Sequence, residues 1–524
     1  MTLPSCQTCW SRALLTLGLL LAACTSADEL SADVEGYGSM SSAATSSSSE
    51  ESGEEDSESE TEDSDSDSDS DSESESGEDP EPSGIEDPAN PNASCGPGDA
   101  TLTLDLGEAN DEATAALVSE SVLLGDGNVP AIPLSARAFL NNLDFGYPAA
   151  EQATLEIRGE LWEAPQMEPD APKRYGLQYA LTAASWPQLE RPPLDLALVV
   201  DIGLAMDGEP LELAETAIAA LSSALTPGDR VSLIVAGEQP ELLVVSEQGL
   251  EPVPLTGMLG AYPLGSYADL EAALELAASS FAQQPGSQAR ILLISNGHFV
   301  RNDDVEALVE DLADDEVFLS SLGVGDPAVY DNTRMRELAS LGRGTSLFSR
   351  DAEQLAIALG EQLEAHLMSA VTELEVELSI PAGLQLLAPE GLPEQDPGAP
   401  RSAQLGPGES LVFHFVLDTC AAPDPDASLG VHLSWVDALD GQPGELSWER
   451  PLVEFEPASS AAKKGDAAIA YARALHLYRD AREPAAAYGP MLDAIARITE
   501  ALELLPEDQE LLEMLAVAAA LEPA

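Results

Sequence analysis

The sequence predicts an α/β protein built on a doubly wound, mostly parallel sheet, with a β-rich sandwich-like domain and a C-terminal helical segment beside it. The main observation is an apolar, β-branched run, Leu194–Asp201, which ends in a carboxylate. Strands and helices then alternate to about Met368, and shorter alternating strands and Ala-rich helices follow. Because an all-apolar strand needs cover on both faces, we expect helices on either side of the sheet.

The chain begins with features of a secretory leader. Arg12 precedes an apolar run that is too short to span a bilayer but is typical of a signal peptide, which we assign to residues 1–23. The run ends in Leu21–Cys24, which resembles a bacterial lipobox. Cleavage there would leave Cys24 as a lipidated N-terminus, anchoring the exported protein to a membrane of the cell envelope. The alternative is an ordinary signal peptide in which Cys24 is incidental.

Residues 24–98 have the composition of a disordered tether. Between Glu50 and Asp87 there are twenty Asp or Glu residues, with no Lys or Arg. Such a segment buries too little apolar surface to offset its chain entropy, and its charges repel each other. We interpret it as a stalk; a loose reservoir for divalent cations is the alternative.

Charge, motifs and cysteine content narrow the possible functions and disulfides. The chain has 95 acidic and 21 basic residues, a net charge of −74, so no basic face is available for nucleic acid. Elbow, zinc-protease and phosphate-loop motifs are absent, and we therefore predict no catalytic residues and no enzyme activity. Once the leader is removed and Cys24 is lipidated, Cys95 and Cys420 are the only possible internal disulfide pair.

The folded part divides into four predicted regions. Residues 99–190 mix strand and helix patterns and form a companion module, and residues 191–368 form the central α/β unit. Residues 369–457 alternate as an antiparallel sandwich, in which His414 should face solvent because it alternates with core residues. Residues 458–524 form a bundle of short amphipathic helices.

Within the central unit, hydrophobic periodicity places each element. The predicted strands are Leu194–Asp201, Arg230–Ala236, Glu241–Val245, Arg290–Ser295, Val317–Leu322 and Thr345–Phe348. The predicted helices are Glu209–Leu225, Asp269–Phe281, Asp303–Ala313, Thr333–Leu341 and Ala352–Leu367.

Five short motifs in this unit, in this order and spacing, resemble the von Willebrand factor type A (VWA) family. They are L-D-L-A-L-V-V-D (Leu194–Asp201), L-T-P-G-D-R-V-S-L-I (Leu225–Ile234), I-L-L-I-S-N-G (Ile291–Gly297), L-G-V-G (Leu322–Gly325) and L-A-S-L-G-R-G-T-S-L-F (Leu338–Phe348). The stretch Arg137–Pro148 is similar to a segment that precedes this domain in a group of exported bacterial proteins. The resemblance implies a metal-ion-dependent adhesion site, in which Asp, Ser, Ser, Thr and Asp side chains hold Mg²⁺.

That implied site is degenerate here. Asp201 keeps the first carboxylate, but the two serine positions are Gly203 and Ala205. Ala268 replaces the threonine and Asn296 the second aspartate. Since Mg²⁺ needs near-octahedral oxygen ligands, we expect no functional metal.

A weaker alternative keeps Mg²⁺ or Ca²⁺ at this place. A shift of one residue would bring Ser266 or Asp269 nearer, and Asp207 is also close in sequence.

The first hypothesis for function is a cell-envelope lipoprotein whose VWA domain binds an unidentified protein partner without catalysis. The second is a divalent-cation-dependent adhesin with a rearranged metal site. An enzyme of unknown type is a third.

Overall fold

The computed structural model describes residues 99–521 except 105, 107–109, 126, 152–153, 165–172, 187–190, 246–256, 283–285, 301–302, 388–402, 422–423, 425, 455–456 and 482–483. The predicted signal peptide, lipidated Cys24, acidic tether and Cys95 lie outside these residues. No helix in the described ranges has the length and apolar composition needed to cross a bilayer.

The elements follow one another in three groups along the chain. The amino-terminal group comprises β1 (Ala100–Thr103), α1 (Ala113–Leu123), α2 (Ala136–Asn141), β2 (Leu155–Ala164) and β3 (Arg174–Ala183). The central group comprises β4 (Leu194–Asp201), α3 (Glu209–Ala224), β5 (Arg230–Ala236), β6 (Glu241–Val245), α4 (Leu270–Ser280), β7 (Gln288–Ser295), α5 (Asp303–Asp314), β8 (Phe318–Val324), α6 (Asn332–Leu341), β9 (Arg343–Ser349), α7 (Ala352–Ala356) and α8 (Leu363–Leu367). The last group comprises β10 (Val371–Ile380), β11 (Leu384–Leu387), β12 (Ala403–Leu405), β13 (Ser410–Thr419), β14 (Ser428–Asp437), β15 (Pro443–Pro451), α9 (Ser460–Asp480), α10 (Pro484–Leu504) and α11 (Gln509–Ala520).

The central group forms the predicted doubly wound sheet. Its six strands lie in the order β6-β5-β4-β7-β8-β9, and only β6 runs antiparallel to its neighbour. All eight residues of β4 are buried. Alternate side chains of β4 point to opposite faces, where α3, α7 and α8 cover one side and α1, α4, α5 and α6 the other. The predicted fold class is confirmed.

The last helix predicted for the central unit is interrupted. Between α7 and α8 the backbone widens into a π-type turn at Ile357–Glu361. Leu355, Leu359, Leu363 and Leu367 recur every four residues, and all four are buried against the sheet. In a regular α-helix, residues four apart are offset by about 40° around the axis, so a run of such residues drifts off one face. The wider π-type turn holds more residues per turn and reduces this drift, which keeps the four leucines facing the sheet.

The strands of residues 99–190 and 369–457 form one sandwich, although the sequence separates them into two regions. One sheet has the order β1-β10-β14-β15, with β12 also paired to β10; the other has the order β11-β13-β3-β2. β3 pairs with β13 over nine residues, so strands far apart in sequence share a sheet. A single apolar core lies between the two sheets.

The C-terminal helices also pack on the amino-terminal group. α9, α10 and α11 share a core with α1, α2 and the outer face of β3 and β13. Lys464 on α9 is buried among these helices. Its Nζ donates to Asp508 Oδ2 and Glu510 Oε2, both at 2.6 Å, and to the carbonyl of Asp144 at 2.7 Å. This charged contact fixes α9 against α11 and the loop after α2.

His414 is not solvent-facing, contrary to the expectation from alternation. It lies on the outer face of β13 and is only 8 % exposed, because α9 covers that face. Its Nδ1 is 2.9 Å from Gln178 Oε1. Alternation identified the face correctly, but it cannot show that a later helix buries it.

Candidate functional site

The structure brings together the five positions of the degenerate metal site at the carboxyl end of β4. Gly203, just after β4, pairs with Gly265 in the loop before α4. A Cβ on Gly203 would lie 3.0 Å from Asp201 Oδ1 and 3.3 Å from the backbone nitrogen of Ala268. The loop before α4 therefore packs directly against the turn after β4. We call this region the Asp201 crevice, comprising residues 201–207, 265–269 and 295–298.

Both carboxylate oxygens of Asp201 accept hydrogen bonds from the protein. Oδ1 accepts the backbone N–H of Gly203 at 2.7 Å, and Oδ2 accepts the hydroxyl of Ser295 at 2.7 Å. Burial raises the pKa of Asp201, and the hydrogen bonds from Ser295 and Gly203 act against that rise. The carboxylate therefore shapes the turn after β4, as an Asx-type contact does.

Asn296 connects two loops of the crevice. Its Nδ2 donates to the carbonyl of Ala205 at 2.6 Å, and its Oδ1 accepts the backbone N–H of His298 at 3.1 Å. An aspartate could not make the first of these bonds, because a carboxylate has no N–H to donate. The amide is thus suited to closing the loops onto each other.

Of the three alternative ligands, Asp269 accepts a hydrogen bond through its side chain, Ser266 is held through its backbone, and Asp207 faces solvent. Asp269 is the N-cap of α4, where its Oδ1 accepts the backbone N–H of Ala272 at 3.2 Å. The backbone N–H of Ser266 donates to Glu238 Oε1 at 3.0 Å. Asp207 is exposed in the turn before α3.

Large apolar side chains surround the crevice and face solvent. Leu204 follows β4 and is 63 % exposed, and Tyr267 precedes α4 and is 44 % exposed. Val300 follows β7 and Val329 follows β8, and each is 57 % exposed. The ring of His298 contacts the carbonyl of Val329, which joins the last two loops. We call these four residues the apolar rim.

A second cluster of polar side chains was not identified from the sequence. The cluster consists of Glu112, His366 and Glu409. One possible ligand atom from each residue, a carboxylate oxygen or a ring nitrogen, lies within 4.8 Å of the other two. Burial lowers the pKa of His366, but Glu112 and Glu409 outweigh that effect and raise it to about 9. Burial raises the pKa of the Glu409 carboxyl to about 7. The three residues are far apart in sequence and follow no ligand-spacing motif, so no local signal could have found them.

Cys420 is disulfide-bonded. It lies just after β13, and the other cysteines of the chain lie outside the described residues. Its pairing with Cys95 stays a prediction.

These observations define a class of protein: an α/β domain with a helix-covered parallel sheet and a loop crevice beyond its middle strand. A family model for the von Willebrand factor type A domain matches residues 196–298, which include most of β4, all of β5 and β7, and the crevice. The chain contains a VWA domain, and the prediction from its motifs is confirmed. A domain of this type indicates a general role in protein interaction or adhesion.

Solved structures with similar folds include two VWA proteins. The ArnB paralog VWA2 from Sulfolobus acidocaldarius is 17 % identical, with a TM-score of 0.43 over 70 % of this chain and 98 % of that one. A von Willebrand factor type A protein from Catenulispora acidiphila is 14 % identical, with a TM-score of 0.44 over 71 % and 96 % of the two chains. Comparison with curated proteins finds no match.

Proposed function

We propose that this chain is a lipid-anchored protein of the bacterial cell envelope that binds a protein partner through the loops around Asp201. Binding requires no bridging metal ion, and the chain carries out no catalysis. The anchor is the lipidated Cys24, and the acidic tether holds the folded part away from the membrane. The observation that carries this proposal is the state of Asp201, whose two carboxylate oxygens are both engaged by donors of the protein itself.

The chemistry of the crevice supports metal-free binding. Gly203, Ala205 and Ala268 offer no side-chain oxygen, and the amide of Asn296 is engaged by Ala205 and His298. A Mg²⁺ ion would have to share the oxygens of Asp201 and Asn296 with these hydrogen bonds, which already set their orientation. Among the five positions it would find one carboxylate and no hydroxyl, too few ligands for its near-octahedral geometry.

The apolar rim supports a protein partner. Exposed apolar side chains are common singly, but several on neighbouring loops of one face mark an interaction surface. Partly exposed aromatic residues such as Tyr267 are also enriched at the centres of protein interfaces. A small-molecule site fits less well: the cleft between α5 and α6 beside Val300 has a volume of about 20 Å³, roughly that of one water molecule.

A metal titration tests the first half of the proposal. Wild-type protein and Asp201→Asn would be titrated with Mg²⁺, Mn²⁺ and Ca²⁺ by calorimetry and by thermal unfolding. We expect identical responses from the two proteins, since any binding to the acidic tether is common to both. A response that Asp201→Asn loses would support the cation-dependent adhesin instead.

A capture experiment tests the second half. The full chain would be used as bait on solubilised membranes, with and without EDTA, beside a rim variant that carries Leu204→Ser, Tyr267→Ser and Val329→Ser. The matched control carries Leu439→Ser and Val453→Ser, because these residues are 55 % and 61 % exposed but belong to the sandwich, where Leu439 follows β14 and Val453 follows β15. We expect a partner retained by wild type and control in EDTA and lost by the rim variant. Equal recovery by the rim variant, or loss in EDTA, would contradict the proposal.

The anchor has its own test. Replacing the lipidated residue by Cys24→Ser should move the protein from the membrane fraction to the soluble fraction, and mass spectrometry of the wild-type N-terminal peptide should show acyl chains. Membrane association of the variant would refute lipid anchoring at Cys24.

A further inference from the structure

The cluster of Glu112, His366 and Glu409 lies where three parts of the fold meet. Glu112 directly precedes α1, which covers the parallel sheet. His366 lies on α8, the last helix of the central group. Glu409 lies in the turn between β12 and β13 of the sandwich. A ligand bound here would therefore connect the amino-terminal segment, the VWA domain and the sandwich.

The two ring nitrogens of His366 have different surroundings. Nε2 is 3.3 Å from Gln362 Oε1, an oxygen that can only accept, so Nε2 carries a proton. Nδ1 is buried and is 3.4 Å from Glu112 Oε1, an ion-pair distance. A positive charge belongs between Nδ1 and this carboxylate, and either a second proton on the ring or a metal ion that displaces that proton can supply it.

We propose that Glu112, His366 and Glu409 bind one divalent transition-metal ion, with Zn²⁺ as the best match to this set of ligands. One imidazole nitrogen with two carboxylates suits zinc better than Mg²⁺ or Ca²⁺, which prefer oxygen ligands alone. Two ligands of a tetrahedral zinc, each about 2.1 Å from the ion, are about 3.4 Å apart. The separation of His366 Nδ1 and Glu112 Oε1 has this value.

The surroundings are those of a supported site. Metal-binding histidines usually donate their second ring N–H to an acceptor, as His366 does to Gln362. Glu409 Oε2 accepts the backbone N–H of Gly406 at 2.8 Å, which orients the carboxylate and leaves its other oxygen for the ion. The side chain of Glu112 is 31 % exposed, so an ion can reach the site from solvent. The site is separate from the Asp201 crevice and does not depend on the proposed function.

The test is a Zn²⁺ titration of the full chain in excess Mg²⁺, which occupies the carboxylates of the acidic tether. We expect one saturable zinc site by calorimetry, a rise in Tm on zinc addition, and visible absorption of a tetrahedral complex when Co²⁺ replaces zinc. Glu112→Gln and Glu409→Gln should each weaken zinc binding by more than about tenfold. Asp314→Asn, which changes an exposed carboxylate paired with Arg343, is the matched control and should bind zinc as wild type does.

Two variants are used so that the test does not depend on the folding of either one. Glu112 is partly exposed, so Glu112→Gln should fold even if the more buried Glu409→Gln does not. If wild type binds no zinc beyond the tether, or if Glu112→Gln binds it equally well, the cluster holds a proton in place of a metal and the proposal is wrong.

Discussion

The hydroxyl of Ser295, at the end of β7, donates a hydrogen bond of 2.7 Å to Asp201 Oδ2 at the end of the neighbouring strand β4. The same hydroxyl oxygen accepts the backbone N–H of Gly297 at 2.9 Å. Ser295 thus connects the carboxylate that shapes one crevice loop to the turn that begins the next. The two strands deliver these residues side by side because their carboxyl ends lie at the same edge of a parallel sheet.

We predict that Ser295→Ala lowers the free energy of unfolding by about 1–3 kcal/mol, because it leaves a buried carboxylate oxygen without its donor. Urea denaturation monitored by circular dichroism would measure the change. Ser279→Ala is the control, since the Ser279 hydroxyl is exposed and bonds only to the carbonyl of Leu276 in its own helix. Equal effects of the two substitutions would show that Ser295 does not support Asp201.

A second prediction concerns Asp229, which forms two parallel hydrogen bonds with the guanidinium of Arg191, at 2.9 and 2.6 Å. Both side chains are nearly fully buried, and Asp229 also accepts the backbone N–H groups of Leu194 and Thr226. Asp229→Ala removes the buried partner of Arg191, whose Nε keeps an ion pair with the more exposed Glu364 at 3.0 Å, and it leaves two backbone N–H groups without their acceptor. The loss should cost about 3–5 kcal/mol of stability.

The control for this prediction is Asp314→Ala. Asp314 pairs with Arg343 at the surface, where ion pairs contribute little, so its removal should barely change the denaturation midpoint. A small effect at Asp229 would mean that water or another acceptor compensates Arg191.

The third prediction is a pH dependence that comes from His414. Burial lowers its pKa to about 4, with Asp466 acting to raise the pKa and Arg497 to lower it. In the unfolded chain an ordinary histidine protonates below about pH 6.5. The unfolded state therefore binds more protons between pH 6.5 and 4, and stability falls as the pH falls through that window.

His414→Asn measures this contribution, because an asparagine amide can still donate to Gln178 Oε1 but does not titrate. When the pH falls from 7 to 4, the free energy of unfolding of wild type should fall by on the order of 2–3 kcal/mol more than that of the variant. Denaturation curves of both proteins at several pH values give this difference. The other titrating groups are the same in the two proteins, so their contributions cancel. A constant difference would show that His414 protonates without penalty in the folded protein.

The fourth prediction uses a pair of helical glycines. A Cβ on Gly465 of α9 would collide with Gln178 Oε1 and lie 2.8 Å from His414 Nδ1. Gln178 cannot move away freely, since it is buried and its Nε2 donates to the Tyr147 hydroxyl at 3.0 Å. Gly465→Ala should therefore destabilise the protein by about 1–3 kcal/mol, despite the better helix propensity of alanine.

Gly489→Ala in α10 is the matched control. A Cβ there meets no atom within 4 Å beyond its chain neighbours and the nearby helix backbone, but Pro490 follows and restricts a preceding residue that carries a Cβ. The gain in helix propensity is therefore opposed, and stability should change by less than about 1 kcal/mol. Thermal unfolding of both variants compares them directly. A stabilised Gly465→Ala protein would show that α9 does not press on the sheet at this point.

Hydrophobic runs and motif spacing were enough to predict the central sheet and its crevice. The strands β4, β5 and β6 lie where apolar runs predicted them, because a strand covered on both faces must be apolar throughout. The motif positions Asp201 and Asn296 could be placed at one edge because parallel strands bring their carboxyl ends together.

The folded structure was needed to show which strands share a sheet and what covers their outer faces. Alternation in β3 and β13 shows that each has a core face, but it does not show that these two distant strands are neighbours. It also could not show that α9 buries His414, or that Glu112, His366 and Glu409 meet. Such contacts depend on how separate segments pack, and that information lies in the shape of the whole fold, because local periodicity records only the face that each segment buries.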